Sequence, residues 1–506
     1  MRQTSEAIKD IVIVGGGTAG WMAAIMLSTV CGRGPQSPSV TLIESPDIPI
    51  IGVGEATVPP FLQFLKSNGI DERAFVQATQ ATFKLGIRFE DWLQKGKTYF
   101  HPFGDIGRSL DGHEFYALWL KCGADALSPL MAHAPAAVMA QQGRFVPPAQ
   151  VSGSPVAGAN YALHLDASLA AGFLRNTACD RGVRRIEATV DKVLQDKKGF
   201  IERLQLSDGT SVPGDLFVDC TGFKGLLIEE TLKSGFEDWS DFLPCDRAVV
   251  APTENLAGIP PYTVVRALNA GWKWTIPLQH RTGNGYVYSS QFCSDDEARE
   301  EFLASLGAPP TVEPRVIPFR TGVRKKIWSK NCLSLGLASG FLEPLESTAI
   351  HLVFKTLSHF IRNFPDSDFD PILQRAFHNN IYGEYRAVRD FLVLHYCTTQ
   401  RKDTAFWRWC QTMPIPENLL ERLEAFRARG LLLPPEHENL FGNNSWYAVL
   451  EGMSVRARKY HPLIDVLPAD RLTQSLSSGE KAIAAFVEEL PEHHAFIREY
   501  CPALAI

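Results

Sequence analysis

The sequence predicts a mixed α/β fold, in which a parallel nucleotide-binding sheet carries an inserted β-sheet and is followed by a mostly helical C-terminal portion. Three observations predict it. Ile11-Val-Ile-Val14 is an apolar run too short for a helix, and it runs straight into Gly15-Gly-Gly-Thr-Ala-Gly20, as a buried parallel strand runs into a phosphate-binding turn. Residues 183–208 alternate as antiparallel strands do and contain the hairpin signal Ser207-Asp-Gly209. Past residue 360 the apolar spacing turns helical, with aromatic-rich stretches such as Phe406-Trp-Arg-Trp409, and no Pro/Ser-rich linker or charge run sets this part off. A chain of 506 residues holds two or three structural units at roughly 150 residues each. The expected organisation is a core over residues 1–360, with the inserted sheet over about 90–330, and a helical portion over 361–506.

At the nucleotide end, Gly15, Gly17 and Gly20 satisfy Gly-x-Gly-x-x-Gly, and Thr18 and Ala19 lead into a helix through Trp21 to Leu27. Glycine allows the tight turn and the close approach of backbone to a pyrophosphate, whose charge then meets the helix N-terminus. A second strand, Ser39 to Ile43, ends at Glu44, at the distance and with the chemistry suited to a ribose hydroxyl. Asp215-Leu-Phe-Val-Asp-Cys-Thr-Gly222 resembles the strand and turn with which many FAD proteins return to the cofactor, which favours FAD over NAD; Asp219 also reads as a strand-end cap.

Composition narrows the partners. A formal charge of -6 with 21% charged residues and no extended Lys/Arg cluster leaves no footprint for nucleic acid. No window of about 18 apolar residues occurs, so no membrane span is expected. The polar start from Met1 to Asp10 does not read as a signal peptide, and a cytoplasmic location is expected. Ten cysteines without a Cys-x-x-Cys pair read as reduced thiols, and thirteen histidines show no metal-binding spacing. Metal: none is expected.

Several segments between these landmarks carry chemistry. The glycine-rich Ile51-Gly-Val-Gly-Glu-Ala-Thr57 allows backbone to approach a planar ring. In Thr82-Phe-Lys-Leu-Gly-Ile-Arg-Phe89, alternation puts Lys84 and Arg88 on one face, which read alone is a solvated face. In Gly271-Trp-Lys-Trp-Thr-Ile-Pro277, an extended backbone points Trp272 and Trp274 the same way, as one flat aromatic wall. In Leu335 to Ile350, Ser347 or Thr348 is a natural N-cap for the helical spacing that follows, and the free amides of that first turn make an anion site. Glu346 there reads, on its own, as a carboxylate complementing the helix dipole.

Trp-x-Trp-x-Ile-Pro at 272–277, Gly-x-Gly-Glu-Ala-Thr at 52–57 and Pro-Leu-Glu-Ser-Thr at 344–348 together resemble the flavin-dependent tryptophan halogenases. The resemblance implies a glutathione-reductase-like, Rossmann-type FAD domain. It implies FAD contacts at Gly15, Gly17, Thr18, Ala19, Gly20, Glu44, Glu55, Ala56, Val190, Leu337, Ser347 and Ile350, and halide binding at Thr348 and Ala349. Ala349 stands where tryptophan-specific members often have glycine, which leaves chloride against bromide open. Trp272 and Trp274 would keep organic substrate from the flavin, and Lys84 and Glu346 would be catalytic. Lys84 would hold hypohalous acid by hydrogen bond or trap it as a haloamine. His101 and Phe103, in Tyr99-Phe-His-Pro-Phe-Gly104, and Trp446 would line the site of an indole or tryptophan-like ring. Trp446 departs from the tyrosine that relatives place there. FADH2 would come from a separate flavin reductase, and a homodimer is compatible. The alternatives on the same scaffold are a flavin monooxygenase hydroxylating an aromatic substrate, and an FAD-binding protein without catalysis.

Overall fold

A computed structural model describes residues 7–32, 34, 36–48, 54–123, 128–255, 258–434 and 440–504. Ile11 to Val14 are all buried because strand β1 (Asp10–Val14) is flanked on both edges. It pairs in parallel with Leu216–Asp219 on one side and with β2 (Ser39–Glu44) on the other. Helix α1 (Thr18–Cys31) makes the crossover between them. Residues Gly20 to Leu27 of α1 are buried without interruption, as expected of a helix covered on every side. The full sheet has six strands, with Cys332–Ser334 and Trp328–Ser329 beyond Leu216–Asp219 and Arg184–Glu187 beyond β2. The hairpin expected around Ser207 is present: Ile201–Leu206 pairs antiparallel with Ser211–Pro213, and Gly209 takes the left-handed conformation (φ 85°) that the turn requires.

Three short segments then set up the second layer. Strands β3 (Gly54–Ala56) and β4 (Thr82–Lys84) pair on either side of Ala162–Asp166. Strands β5 (Gly86–Glu90) and β6 (Thr98–Pro102) belong to a different, seven-stranded sheet that also holds Thr263–Ala267 and Gly271–Pro277. The chain changes sheets at Leu85, whose N–H donates to the carbonyl of Pro261 and whose carbonyl accepts from Phe103. This overturns the single strand expected over 82–89 and its solvated face. Lys84 is fully buried, and Arg88, in the other sheet, is half-buried. A period-two pattern reads the same whether or not the backbone switches partners partway along it.

Strand β4 is only three residues long, and each is tied down. The Thr82 hydroxyl donates to the Pro277 carbonyl (2.7 Å), so it accepts from His164 Nδ1 (3.0 Å). Phe83 N–H donates to His493 Nε2 (3.2 Å), while His493 Nδ1 donates to the Ile259 carbonyl (2.7 Å). His493 belongs to the last helix, so the C-terminal part of the chain fixes the strand that presents Lys84. Beyond Phe341 no strand occurs among the described residues; the long helices Ala349–Arg362 and Pro371–Cys397 begin this region.

Asp219 is the strand-end cap. It is fully buried, and its carboxylate accepts from the Thr221 N–H and hydroxyl and from the N–H groups of Leu227 and Ile228, at 2.7–2.9 Å. Bonds to a charged acceptor each contribute about 1.5–3 kcal/mol. Asp219→Ala should therefore cost at least about 3 kcal/mol in urea unfolding; a loss below about 1 kcal/mol would show that the carboxylate does not hold this turn.

Candidate active site

A cavity of ≈ 490 Å³ opens along the carboxyl ends of β1 and β2, where open α/β sheets place ligands. Its floor is the glycine turn. A Cβ on Gly15 (φ +113°) would stand 2.3 Å from the Cys220 carbonyl, and one on Gly20 would stand 1.9 Å from the Gly15 carbonyl oxygen. A Cβ on Gly17 would meet nothing within 4 Å, because Gly17 faces the cavity. Gly17 is also the N-cap of α1 and makes no side-chain cap bond, so the first-turn amides are presented to a ligand. This cradle fits a pyrophosphate. Glu44 lines the same end, with Oε1 taking a 2.5 Å bond from Arg185 Nε, and Val190 lines it beside Thr189. Gly15, Thr18, Ala19, Glu55, Ala56, Leu337, Ser347, Thr348, Ala349 and Ile350 also line this one cavity; Gly20 lies behind Gly15. Burial and the neighbouring Asp166 push the Glu55 carboxyl up to about 7. Ile51 to Val53 of the glycine-rich loop lie outside the described residues.

Trp272 and Trp274 share one face of the Gly271–Pro277 strand, but they do not form a flat wall. Their ring centroids are 6.1 Å apart and their planes meet at 55°. The difference comes from what each indole packs on. Trp274 lines the cavity and lies across Gly285 of the neighbouring strand, where a Cβ would stand 2.1 Å from its ring. Trp272 is fully buried away from the cavity, its Nε1 donating to Glu343 Oε2 at 2.9 Å.

The segment from Glu343 to Thr348 carries the rest. Ser347 has a left-handed backbone (φ 60°), an uncommon state for a residue with a side chain, and its hydroxyl accepts from Lys84 Nζ at 2.9 Å. Lys84 also donates to the Thr57 carbonyl at 3.0 Å, and Phe103's ring centroid is 5.0 Å from Nζ. The N-cap position of the Ala349–Arg362 helix is Thr348, but neither Ser347 nor Thr348 caps it by side chain. The expected side-chain cap is thus replaced by the Ser347–Lys84 bond, and the first-turn amides face the cavity uncapped. Lys84 does not line the cavity; Ser347 separates it from the space beyond.

Glu346 sits on the short turn Pro344–Glu346 rather than in the helix, so it does not complement a helix dipole from within the first turn. It is fully buried, with His101 Nδ1 2.9 Å from Oε2 and His395 Nε2 3.0 Å from Oε1. Burial opposes its charge, but these two imidazoles hold the carboxyl down to about 2. The carboxylate only accepts, so His101 Nδ1 donates to it, while His395 Nε2 faces Oε1 as a close ion-pair contact without hydrogen-bond alignment. Burial lowers the His395 pKa, and Tyr99's hydroxyl lies 2.6 Å from His395 Nδ1, where it donates to the neutral ring. Burial likewise brings the Lys84 ammonium down to about 7, against the pull of Glu346.

His101, Phe103 and Trp446 gather in an aromatic cluster on the far side of Lys84. His101 lies 6.2 Å from Phe103, 5.6 Å from Phe391 and 6.1 Å from Phe441, and Trp446 lies 5.3 Å from Phe391. Next to Trp446, Tyr447 donates to Glu114, and one turn on Glu451 accepts from Arg456 Nε at 2.9 Å. Sequence reasoning missed Thr57, Tyr99, Glu343, Phe391, His395, Tyr396 and Phe441. Tyr99 was reachable, since residues 99, 101 and 103 share one face of an extended segment. Phe391 and His395 are four apart on one helix, which is how core residues also recur.

Comparison with known proteins gives these residues a context. The tryptophan halogenase family profile matches residues 10–469. The tryptophan 6-halogenase SttH of Streptomyces toxytricini is 37% identical over 515 residues, covering 96% of this chain and 97% of that protein. Among solved structures, a flavin-dependent halogenase from Xanthomonas campestris superposes with a TM-score of 0.94 at 42% identity, covering 99% of this chain and 100% of its own. BrvH, a flavin-dependent halogenase from Brevundimonas sp. BAL3, superposes at 0.92 and 41%, covering 98% and 99%.

The lowered Lys84 pKa has a thermodynamic signature. Between pH 7 and 10.5 the unfolded chain holds a proton on this amine that the folded chain has released, so stability rises with pH across that window. Wild type should gain stability relative to Lys84→Met as pH is raised from 7 towards 10, and 13C-lysine NMR should show one side chain titrating near 7. A Lys84 resonance still charged at pH 9 would contradict the burial account.

Proposed function

The chain belongs to the tryptophan halogenase family and is a flavin-dependent halogenase, and from that premise we propose that Lys84 and Glu346 direct halogenation of an indole or tryptophan-like ring. The observation that carries this reading is the position of Ser347. Ser347 lines the nucleotide cavity while its hydroxyl holds Lys84, which in turn faces Phe103 of the aromatic cluster. Ser347 thus bridges the cavity and the lysine.

When bound, reduced FAD supplies with oxygen the oxidising power that turns halide into hypohalous acid. The glycine cradle, Glu44 and Val190 would hold its nucleotide end, and Glu55, Ala56, Leu337, Ser347 and Ile350 its remaining length. The uncapped first-turn amides at Thr348 and Ala349 offer a halide the donors and dipole it needs. Trp274 occupies the cavity wall and opposes entry of an organic ring beside the flavin, which argues against direct hydroxylation.

Lys84 Nζ uses two of its tetrahedral positions on Thr57 and Ser347. The remaining one holds hypohalous acid by hydrogen bond or, in the neutral amine, attacks its halogen to give a haloamine, the oxygen–halogen bond breaking and the hydroxide leaving with one amine proton as water. Glu346 then serves the ring. Its carboxylate stabilises the cation formed when halogen adds to a ring carbon, and accepts the proton that leaves. With a pKa near 2 it is a weak base; that suffices, because a protonated aromatic carbon is far more acidic. His101 and Phe103 border the ring's position, and Trp446 closes the cluster behind Phe391. A separate reductase supplying FADH2, and with it a cytoplasmic location, complete the reading. Ten free cysteines support that compartment, and no helix among the described residues is long and apolar enough to cross a membrane.

Purified protein supplied with FAD, a flavin reductase, NADH, oxygen and chloride or bromide should place halogen on indole or tryptophan, read by isotope pattern in mass spectrometry. Hydroxylated product, or no halogenated product from any electron-rich ring, would overturn the reading. Lys84→Ala should lower product formation by at least about 100-fold while FAD binding and flavin oxidation persist; undiminished product would remove Lys84 from the chemistry.

A further inference from the structure

Trp272 does not line the cavity, and Glu343, three residues before Glu346, is absent from the mechanism above. Yet the two are joined in the interior. Glu343 is fully exposed to no solvent, its side chain lying at 0% accessibility. Its Oε2 accepts from Trp272 Nε1 at 2.9 Å and from the Tyr396 hydroxyl. A buried carboxylate is costly unless donors meet it, and burial pushes this one up to about 7 in spite of the two bonds. An apolar residue there would have packed at less cost.

The arrangement repeats that of Glu346 one turn along. Tyr396 and His395 are adjacent on the Pro371–Cys397 helix; His395 holds Glu346 while Tyr396 holds Glu343. Each carboxylate is also gripped from a strand of the seven-stranded sheet, Glu346 by His101 of β6 and Glu343 by Trp272. The segment bearing Ser347 and Glu346 is therefore fastened at two points between helix and sheet. The second fastening also fixes the Trp272 ring by its N–H. That ring packs on Trp274 at 6.1 Å, so the orientation of the cavity wall is tied to the segment that carries Glu346.

We propose that Glu343 is a positioning residue for halogenation: with Tyr396 it locks Trp272, and through it the Trp274 wall, in register with the Glu346–Ser347 segment. This rests on the halogenase reading above. Its loss leaves the chemical groups in place but loosens the boundary between cavity and ring site. Reduced flavin is then oxidised by oxygen to FAD and hydrogen peroxide, two electrons passing to oxygen, without halogen reaching the ring.

The test measures halogenated product and peroxide per FADH2 oxidised in Glu343→Leu, Glu343→Gln and Tyr396→Phe, with FAD affinity, melting temperature and the indole N–H hydrogen-bond band in ultraviolet resonance Raman spectra. In Glu343→Leu the product-to-peroxide ratio should fall about ten-fold, with FAD affinity kept and one indole N–H band shifted to the unbonded position. Glu343→Gln, which keeps an acceptor oxygen, should recover to within about three-fold of wild type. If Glu343→Leu does not fold, Tyr396→Phe, which removes a single oxygen, decides the matter by a smaller fall in the same ratio. Wild-type ratios in Tyr396→Phe and in whichever Glu343 variants fold would overturn the proposal. Wild-type protein that halogenates no ring would instead sink the halogenase reading on which it stands.

Discussion

A carboxylate without solvent is the constraint around which this molecule is arranged. Glu346 keeps its charge only because two imidazoles reach it, one from a strand of the seven-stranded sheet and one from a helix nearly 300 residues further along the chain, His101 and His395. Their settings follow in turn: the carboxylate accepts from His101, burial lowers the His395 pKa, and the Tyr99 hydroxyl bonds its Nδ1. Loss of any donor would leave a buried charge uncompensated, which is among the most costly events in a protein interior. The sheet, the helix and the Glu343–Thr348 segment are consequently committed to one relative placement.

Burial then divides the chemistry. The same exclusion of water that makes Glu346 depend on its neighbours lowers the Lys84 ammonium to about 7, so the amine can exist in both charge states near neutrality. Both carboxylates accept hydrogen bonds, and the pull of the imidazoles, His101 first, decides the opposite outcomes: Glu346 is held down and stays charged, while Glu343, in a comparably dry place, is raised to about 7. Lys84 remains near Glu346 without touching it, its bonds going to Thr57 and Ser347. The left-handed backbone of Ser347 is what turns its hydroxyl towards the lysine while its neighbours Thr348 and Ala349 face the cavity.

Much of the nucleotide end was legible because its signals are local. Gly15 and Gly20 are required by clashes a Cβ would make within a few residues or with the neighbouring strand, and Gly17 leaves the cavity side open, so their spacing alone announces strand, turn and helix. The hairpin at Ser207 to Gly209 was legible for the same reason. Lys84 was not. Its alternation with Phe83 and Leu85 looked like a solvated strand face, and only the change of sheet at Leu85 and the covering by His493 and Ser347 bury it. The flat Trp272–Trp274 wall failed similarly: the common face follows from the strand, but the 55° between the rings follows from Glu343 on one side and Gly285 on the other.

By itself the sequence determined the α/β class, the phosphate-binding turn, the sharing of one strand face by two indoles and the family its motifs resemble, because each depends on residues close together along the chain. The tertiary structure alone decided which ionisable groups would be dry, which donors would meet them and that Lys84 would sit behind Ser347. Those outcomes depend on contacts between residues separated by tens to hundreds of positions, such as Lys84 with Ser347 and Tyr99 with His395. Desolvation belongs to a place in the folded molecule, and no spacing along the chain encodes it.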